Sequence, residues 1–390
     1  MGSDEIWRSE LDRREFLRRL SALGLGGTAI WIAAACGNTG SSGGPPVANS
    51  TPVPLTYPKA QIDGDLTLFN WAQYMSQDVI NGFAKHYGVK VNTPYFDNME
   101  DMLTKLNSGQ AYDLTFPTMD YVANLVRANQ LLPIDHTQLS NWSEVPTYFN
   151  DPWYDPKATF SAPYALWTTG IMWRTDKVSS MSGSWTDFWS NLSQYHDHTY
   201  LLYDYQEVLG MSLIRQGYDI NSGKKAELDK AVSEVLKLKS GGLRGFAVGA
   251  DDITFTVNGS SWIQHAWSGD VYQVLSQVSD PSTIKYETCK EGVPTGNDTM
   301  VIPKSAQHPG TALKFIDWML APENAKTNID YFGYPQVTNT GIPYFNQSIA
   351  KPYPYLNVTL DQAINGLREI VPTGDKKYEW IQEWRKIIYS

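Results

Sequence analysis

Carboxylates and large aromatic rings recur together at a few places in this chain. Trp71 and Tyr74 follow Asn70. Thr118, Asp120 and Tyr121 follow Pro117. Asp204 and Glu207 stand three apart, as do Trp267 and Asp270, while Asp298 leads an apolar run and Tyr334 closes a turn rich in rings. Carboxylates accept charge-assisted hydrogen bonds from ammonium groups, and the face of a ring attracts a cation. No Arg or Lys stands within these motifs, so the chemistry favours a positively charged solute over a neutral one.

Other readings accompany each residue. Asp204 and Glu207 have the spacing of a helix capping box. Asp120 and Asp270 suit loop caps or turns, and Trp71, Tyr74, Trp267 and Tyr334 are of the types that fill cores. Paired carboxylates in a cleft also serve glycoside hydrolysis, which is the enzyme alternative. Catalytic signatures are otherwise missing: there is no HExxH, and no GxSxG, P-loop or GxGxxG in a usable strand-to-helix context. His196 and His198 form a two-ligand fragment in a polar loop and read as surface residues. The chain is therefore read as a non-enzyme with no cofactor and no metal.

The elements that must position these groups are legible from periodicity. Asp65–Asn70 alternates as a strand, and Ser76 caps a helix that turns Val79, Ile80, Phe83 and Tyr87 to one side and stops at Gly88. Val89, Val91 and Tyr95 give a second strand, Met99–Leu106 a second helix and Tyr112–Phe116 a third strand. Such βαβαβ order implies a parallel sheet, whose ligands bind beyond the carboxyl ends of the strands. The later part repeats the theme with strands at Tyr200–Tyr203, Ser261–Ala266 and Thr299–Ile302. Its helices are expected at Glu207–Gln216, Ala226–Lys239 and Thr311–Leu320, with a tight turn at Tyr331–Pro335. Trp71, Tyr74, Thr118, Asp120, Tyr121, Asp204, Glu207, Trp267 and Asp270 then all stand at strand exits. Trp380 and Trp384 read as a packed helix face.

The chain has 390 residues, 42% hydrophobic, 13% aromatic and only 18% charged, with a net charge of -10. That composition folds, suits two domains and lacks the basic face a nucleic acid requires. Arg13-Arg14 followed by the uncharged stretch Leu20–Ala35 is a twin-arginine export signal too short to span a bilayer. Ala33-Ala34-Ala35-Cys36-Gly37 reads as a lipobox with Cys36 lipidated, although Ala33 replaces the usual Leu. The Gly/Ser/Thr/Pro-rich segment after it reads as a flexible tether. The other cysteine, Cys289, is taken as a buried hydrophobe.

Six motifs resemble, in order, those of the bacterial spermidine/putrescine-binding proteins, the extracytoplasmic receptors of polyamine ABC importers: Asn70–Tyr74, Ala111–Leu114 with Pro117-Thr118, Asp204–Val208, Trp267–Asp270, Asp298 ahead of Ile302-Pro303, and Gly333–Pro335. The resemblance implies a type II periplasmic-binding-protein fold of two α/β domains with a ligand cleft between them and crossover hinges. It implies Trp71 and Trp267 as aromatic walls, Tyr74, Thr118 and Tyr334 as lining, and Asp204, Glu207 and Asp298 as ammonium acceptors. The expected organisation is a signal over 1–35, a lipid-anchored linker over 36–60, one lobe from 61–168 and 299–340, and the other from 169–298 and 341–390. Expected partners are a polyamine and a membrane ABC permease, for a monomer at the extracytoplasmic face of the cell membrane. A same-fold receptor for another cationic or neutral solute is the alternative. Three positions depart from the family pattern: Gln73 where an acid is frequent, Asp120 where a ring is, and Gly296, two before Asp298, where a second large ring is usual. Arg368–Glu379 offers no secure counterpart to the family's C-terminal polar contact.

Overall fold

The computed structural model describes residues 55–390 except Val371 and Thr373. The expected export signal, Cys36 and the tether as far as Pro54 lie outside the described residues. Among the described residues the strands are β1 (Leu66–Trp71), β2 (Val91–Asn92), β3 (Tyr95–Phe96), β4 (Leu114–Thr115), β5 (Ser161–Arg174), β6 (Thr199–Leu202), β7 (Gly245–Ala247), β8 (Ile263–Trp267), β9 (Ile284–Glu287), β10 (Pro294–Val301) and β11 (Leu367–Arg368). Their order is β2-β1-β4-β10-β5-β8-β6-β7, with β3 on β1, β9 on β5 and β11 on β10. β1 runs parallel to β2, β3 and β4, and β6 runs parallel to β7 and β8. Each parallel group is the βαβ half anticipated from the alternating pattern.

The first helix, Gln77–Tyr87, has the expected limits: Ser76 accepts from the Asp78 amide at 3.3 Å, Val79, Ile80 and Phe83 are buried, and Gly88 ends it at φ 70°. The second strand is shorter than expected and divided. Pro94 interrupts it and has no amide hydrogen to give the ladder, so β2 and β3 pair with β1 separately. The ring-rich turn starts later than expected, because the Pro322–Phe332 helix continues to Phe332 and Gly333, at φ 76°, reverses the chain. Trp380 and Trp384 are buried on the Asp375–Tyr389 helix, which packs against the Lys225–Ser240 helix. Cys289 is buried, which pushes the thiol pKa up and keeps it protonated.

The long central strand β5 has no counterpart in the periodicity. It carries Pro163 and Gly170, and twelve consecutive residues from Ser161 are buried on both faces, so alternation is lost. It joins the two halves. Residues 161–168 pair antiparallel with β10, and from Thr169 onwards the strand pairs with β8 and β9. The pairing of β10 with β5 slips between Asp298 and Thr299, where Tyr164 is the extra residue of a bulge on β5.

Asp113, part of one of the motifs, proves structural. Its Oδ2 accepts from the Thr67 amide at 2.8 Å, and its Oδ1 accepts from the amides of Gln307 and His308 at 2.9 and 2.8 Å. One buried carboxylate thus ties β1 to the start of the Pro309–Leu320 helix. Asp113→Ala leaves three amides without an acceptor, so a loss of about 3 kcal/mol in urea unfolding is expected. A loss below about 1 kcal/mol would show that the clamp is dispensable.

Candidate ligand-binding site

The carboxyl ends of β1, β4, β6 and β8 open on one cavity. Three acids on its wall stand at helix beginnings. Asp204 is the N-cap of the Tyr205–Arg215 helix and accepts from the amides of Gln206 and Glu207 at 2.8 and 3.2 Å. Asp120 lies in the first turn of the Met119–Arg127 helix, and Asp270 in the first turn of the Ser268–Gln277 helix. The helix dipoles favour negative charge at all three. Asp298 reaches the same space from β10, next to the register slip.

Each of these acids has donors from the protein. Tyr74 donates its hydroxyl to Asp298 Oδ2 at 2.6 Å, and the Trp167 indole donates to Oδ1 at 3.2 Å. Tyr334 donates to Asp270 at 2.7 Å; its ring lies over Gly269, where a Cβ would come within 2.1 Å of it. Thr118 leaves its helix uncapped and donates instead to Asp120 at 2.6 Å, while Gln206 Nε2 supplies a second donor to Asp120 at 3.1 Å. The hydroxyl of Tyr121 stands 3.0 Å from Glu100 Oε1, 3.1 Å from Gln206 Oε1 and 3.3 Å from that of Tyr205. Trp71, at the end of β1, fixes its ring by donating to the Phe116 carbonyl and leaning on Phe96. Trp267, at the end of β8, meets Trp167 edge to face at 4.9 Å.

Ten of the eleven residues singled out from the sequence line this one space: Trp71, Tyr74, Thr118, Asp120, Tyr121, Asp204, Trp267, Asp270, Asp298 and Tyr334. Glu207 does not, which corrects its expected place among the lining acceptors. One turn into its helix, it is fully buried, accepts from Thr169 Oγ1 at 2.8 Å and stands 3.3 Å from His265 Nε2. Burial pushes Glu207 up to about 8 and His265 down to about 3. The capping-box reading is half met, since Asp204 caps the helix but Glu207 does not reach back to it. Gln73 is exposed and outside the lining, with a φ of 56° and its carbonyl held by Gln273 Nε2 at 3.1 Å.

Among the lining residues the sequence did not single out are two acids and an indole. Trp167 lies on the unanticipated β5. Asp97, at the rim, lies in the short connection after β3. Glu369 comes directly after β11, in the segment without a secure family counterpart; it is 7% exposed and has an Oε1 with no partner. Only its type, an acid, gave a signal. The wall thus carries six carboxylates, Asp97, Asp120, Asp204, Asp270, Asp298 and Glu369, and no Lys or Arg. Burial pushes Asp204 up to about 7, helped by the charge of Glu207, and Asp298 up to about 7 against the hydrogen bonds from Tyr74 and Trp167. Asp270 is pushed up to about 6, again by burial, and behind it burial and the charge of Asp270 hold Asp252 well above the carboxylate range. Glu369 is raised well above the usual range by burial, then by Glu207, Asp204 and Asp120. A cation is what this wall lacks. Among the described residues no group of three His, Cys, Asp or Glu is placed to hold a metal ion.

Residues 78–343 match the family model described as bacterial extracellular solute-binding protein. The spermidine/putrescine-binding periplasmic protein of Escherichia coli is 30% identical over 281 residues, which cover 71% of this chain and 78% of the relative. The chain belongs to the spermidine/putrescine-binding protein family. A putrescine/cadaverine-binding protein of Pseudomonas aeruginosa is 26% identical over 293 residues, covering 73% of this chain and 82% of the relative. The solved structure of PotD, the substrate-binding protein of a spermidine/putrescine ABC transporter from Streptococcus pneumoniae, is 25% identical. It superposes with a TM-score of 0.64 over 84% of this chain and 98% of that one. The fold is accordingly the type II periplasmic-binding-protein fold, two α/β domains with β5 and β10 crossing between them. As a spermidine/putrescine-binding family member, the chain is an extracytoplasmic solute-binding receptor in an ABC importer context, and family membership sets it among receptors rather than enzymes. No helix among the described residues is long and apolar enough to cross a membrane.

The raised acids fix how stability varies with pH. A carboxyl with a folded pKa above its unfolded value holds its proton more tightly in the native state. The native fold is therefore favoured below the unfolded value and loses that advantage as pH climbs through the folded value. With Asp204 and Asp298 at about 7 and Asp270 at about 6, the window runs from their ordinary 3.8 to about 7. Ligand-free protein is expected to melt higher at pH 5.5 than at pH 8, and Asp298→Asn to shrink the difference. Equal melting temperatures at the two values would contradict the buried, cation-free state of these acids.

Proposed function

We propose that this chain captures a polyamine, of the spermidine or putrescine class, and delivers it to an ABC permease. The observation that carries the reading is the cavity wall: six carboxylates and no Lys or Arg, with the indole rings of Trp71, Trp167 and Trp267 between them. A polyamine is a row of ammonium groups joined by methylenes. The acids accept the ammonium hydrogens, at about 1.5–3 kcal/mol for each charge-assisted bond, and the rings cover the methylenes while attracting the cation by about 0.5–2 kcal/mol. Asp120, Asp204, Asp298 and Glu369 are proposed as the acceptors, with Asp270 fixed by Tyr334; Tyr74 and Thr118 hold Asp298 and Asp120 in place, and Tyr121 meets Gln206, which donates to Asp120. Glu207 supports the site from behind.

The lobes are proposed as 61–168 with 299–340 and 169–298 with 341–390, because β5 exchanges partners after Thr168 and β10 slips after Asp298. Groups from both lobes face the one cavity, so ligand favours the closed form, and the permease reads lobe geometry instead of the solute. The receptor is proposed to act as a monomer without catalysis, exported through the twin-arginine signal and anchored by lipid on Cys36. Mass measurement of the mature N-terminus tests the anchor.

Titration calorimetry with spermidine, putrescine and a neutral disaccharide tests the ligand. Heat with the amines alone is expected, and heat with the disaccharide alone would overturn the reading. Asp298→Asn should weaken the preferred amine at least about tenfold, consistent with loss of one charge-assisted bond; unchanged affinity would remove Asp298 from the site. Because a bound ammonium lowers the pKa of the acids it meets, binding expels protons from groups that titrate near 7. Affinity should rise between pH 6 and pH 8, with a heat that depends on the buffer. An affinity flat over that interval would show that these acids do not meet the cation.

A further inference from the structure

We infer that Trp167 is the ring that sets which amines the cavity accepts, and that Gly296 is a glycine so that β5, rather than β10, delivers that ring. The inference rests on the polyamine reading above and names the residue that discriminates within it.

Trp167 and Gly296 are direct partners across the antiparallel β5–β10 pair. Side chains of directly opposed residues share one face of a sheet and stand side by side. Here one of the two has none. A Cβ built on Gly296 would lie 2.4 Å from Trp167 Cζ2 and 2.9 and 3.0 Å from two further atoms of the indole, so the ring covers the place a side chain at 296 would occupy. The φ at Gly296 is not in the left-handed region, so backbone freedom gives no reason for the glycine. Space does. The two positions hold a single ring between them, and it comes from β5.

That origin has consequences for selectivity. From β5 the indole lines the cavity with its N–H on Asp298 Oδ1 at 3.2 Å, while Tyr74 takes the other oxygen of the same acid. Its ring meets Trp267 at 85°, making a corner of two aromatic surfaces beside a carboxylate. An ammonium on Asp298 therefore has its adjoining methylenes against this corner, and the distance from that ammonium to the next is read there. Trp167 is 4% exposed and packed, so its position does not adjust to a longer or shorter ligand without moving Trp267 or Asp298.

The test pairs an amine panel with melting temperatures. Affinities of wild type, Trp167→Ala, Trp167→Phe and Asp298→Asn are measured for 1,3-diaminopropane, putrescine, cadaverine and spermidine. Trp167→Ala is expected to weaken the preferred amine on the order of tenfold and to level the differences between chain lengths. Trp167→Phe should keep the length preference while shifting the pH at which affinity rises, since Asp298 loses a donor. Asp298→Asn should weaken all four amines alike. A Trp167→Ala variant that weakens every amine by the same factor would overturn the specificity role. The shared position is read without ligand: Gly296→Ala should lower the melting temperature in the wild-type background and not in Trp167→Gly. A Gly296→Ala variant as stable as wild type would overturn that part. Should wild type bind no amine, the polyamine reading and the selectivity role fall together, whereas the collision between positions 167 and 296 is still decided by the melting temperatures.

Discussion

Negative charge held out of water without a resident counter-ion is the constraint to which the rest of this structure answers. Isolated carboxylates in such a space are too costly to keep ionised, and the fold meets the cost from several directions. Asp120, Asp204 and Asp270 are set at helix beginnings, where the dipole is positive. Hydroxyl and indole donors occupy part of Asp120, Asp270 and Asp298. The remainder is offset by proton uptake, visible in the raised pKa values of Asp204, Asp270 and Asp298. A site prepared in this way is receptive to a cation and poor for a neutral solute, which would leave the acids uncompensated.

The aromatic framework answers to the same constraint. Tyr74 and Tyr334 each donate to an acid, and their rings pack against each other at 5.2 Å and against Phe332. Moving either phenol disturbs two carboxylates at once. Gly269 and Gly296 serve this framework by leaving room for Tyr334 and Trp167. Both glycines are explained by a ring close above them instead of by a turn.

The sequence was informative where chemistry and periodicity coincide. The first helix was legible because Ser76 and Gly88 mark its ends and its apolar residues keep to one face. Most of the ten lining residues were legible because parallel strands present the residues just past their carboxyl ends to the ligand, a rule that needs no tertiary detail. Glu207 broke that rule: a residue one turn inside a helix points by helical phase, and its phase carries it to Thr169 and His265. β5 could not be read, since a strand covered on both faces has no alternation and its Pro and Gly mimic breaks. Trp167 was hidden with it. Glu369 comes from far along the chain, brought in by the pairing of β11 with β10, and no local pattern announces such a contact.

The change of partners along β5 has a mechanical consequence. Because one continuous ribbon belongs to both halves, a rotation of one against the other pivots where the ribbon changes hands, at Thr168 and Thr169, beside the slip at Asp298 and Thr299. Points near a pivot sweep short arcs and distant points sweep long ones. Trp167 and Asp298 stand within a residue or two of that change of hands, whereas Asp120 and Asp204 stand at the starts of helices away from it.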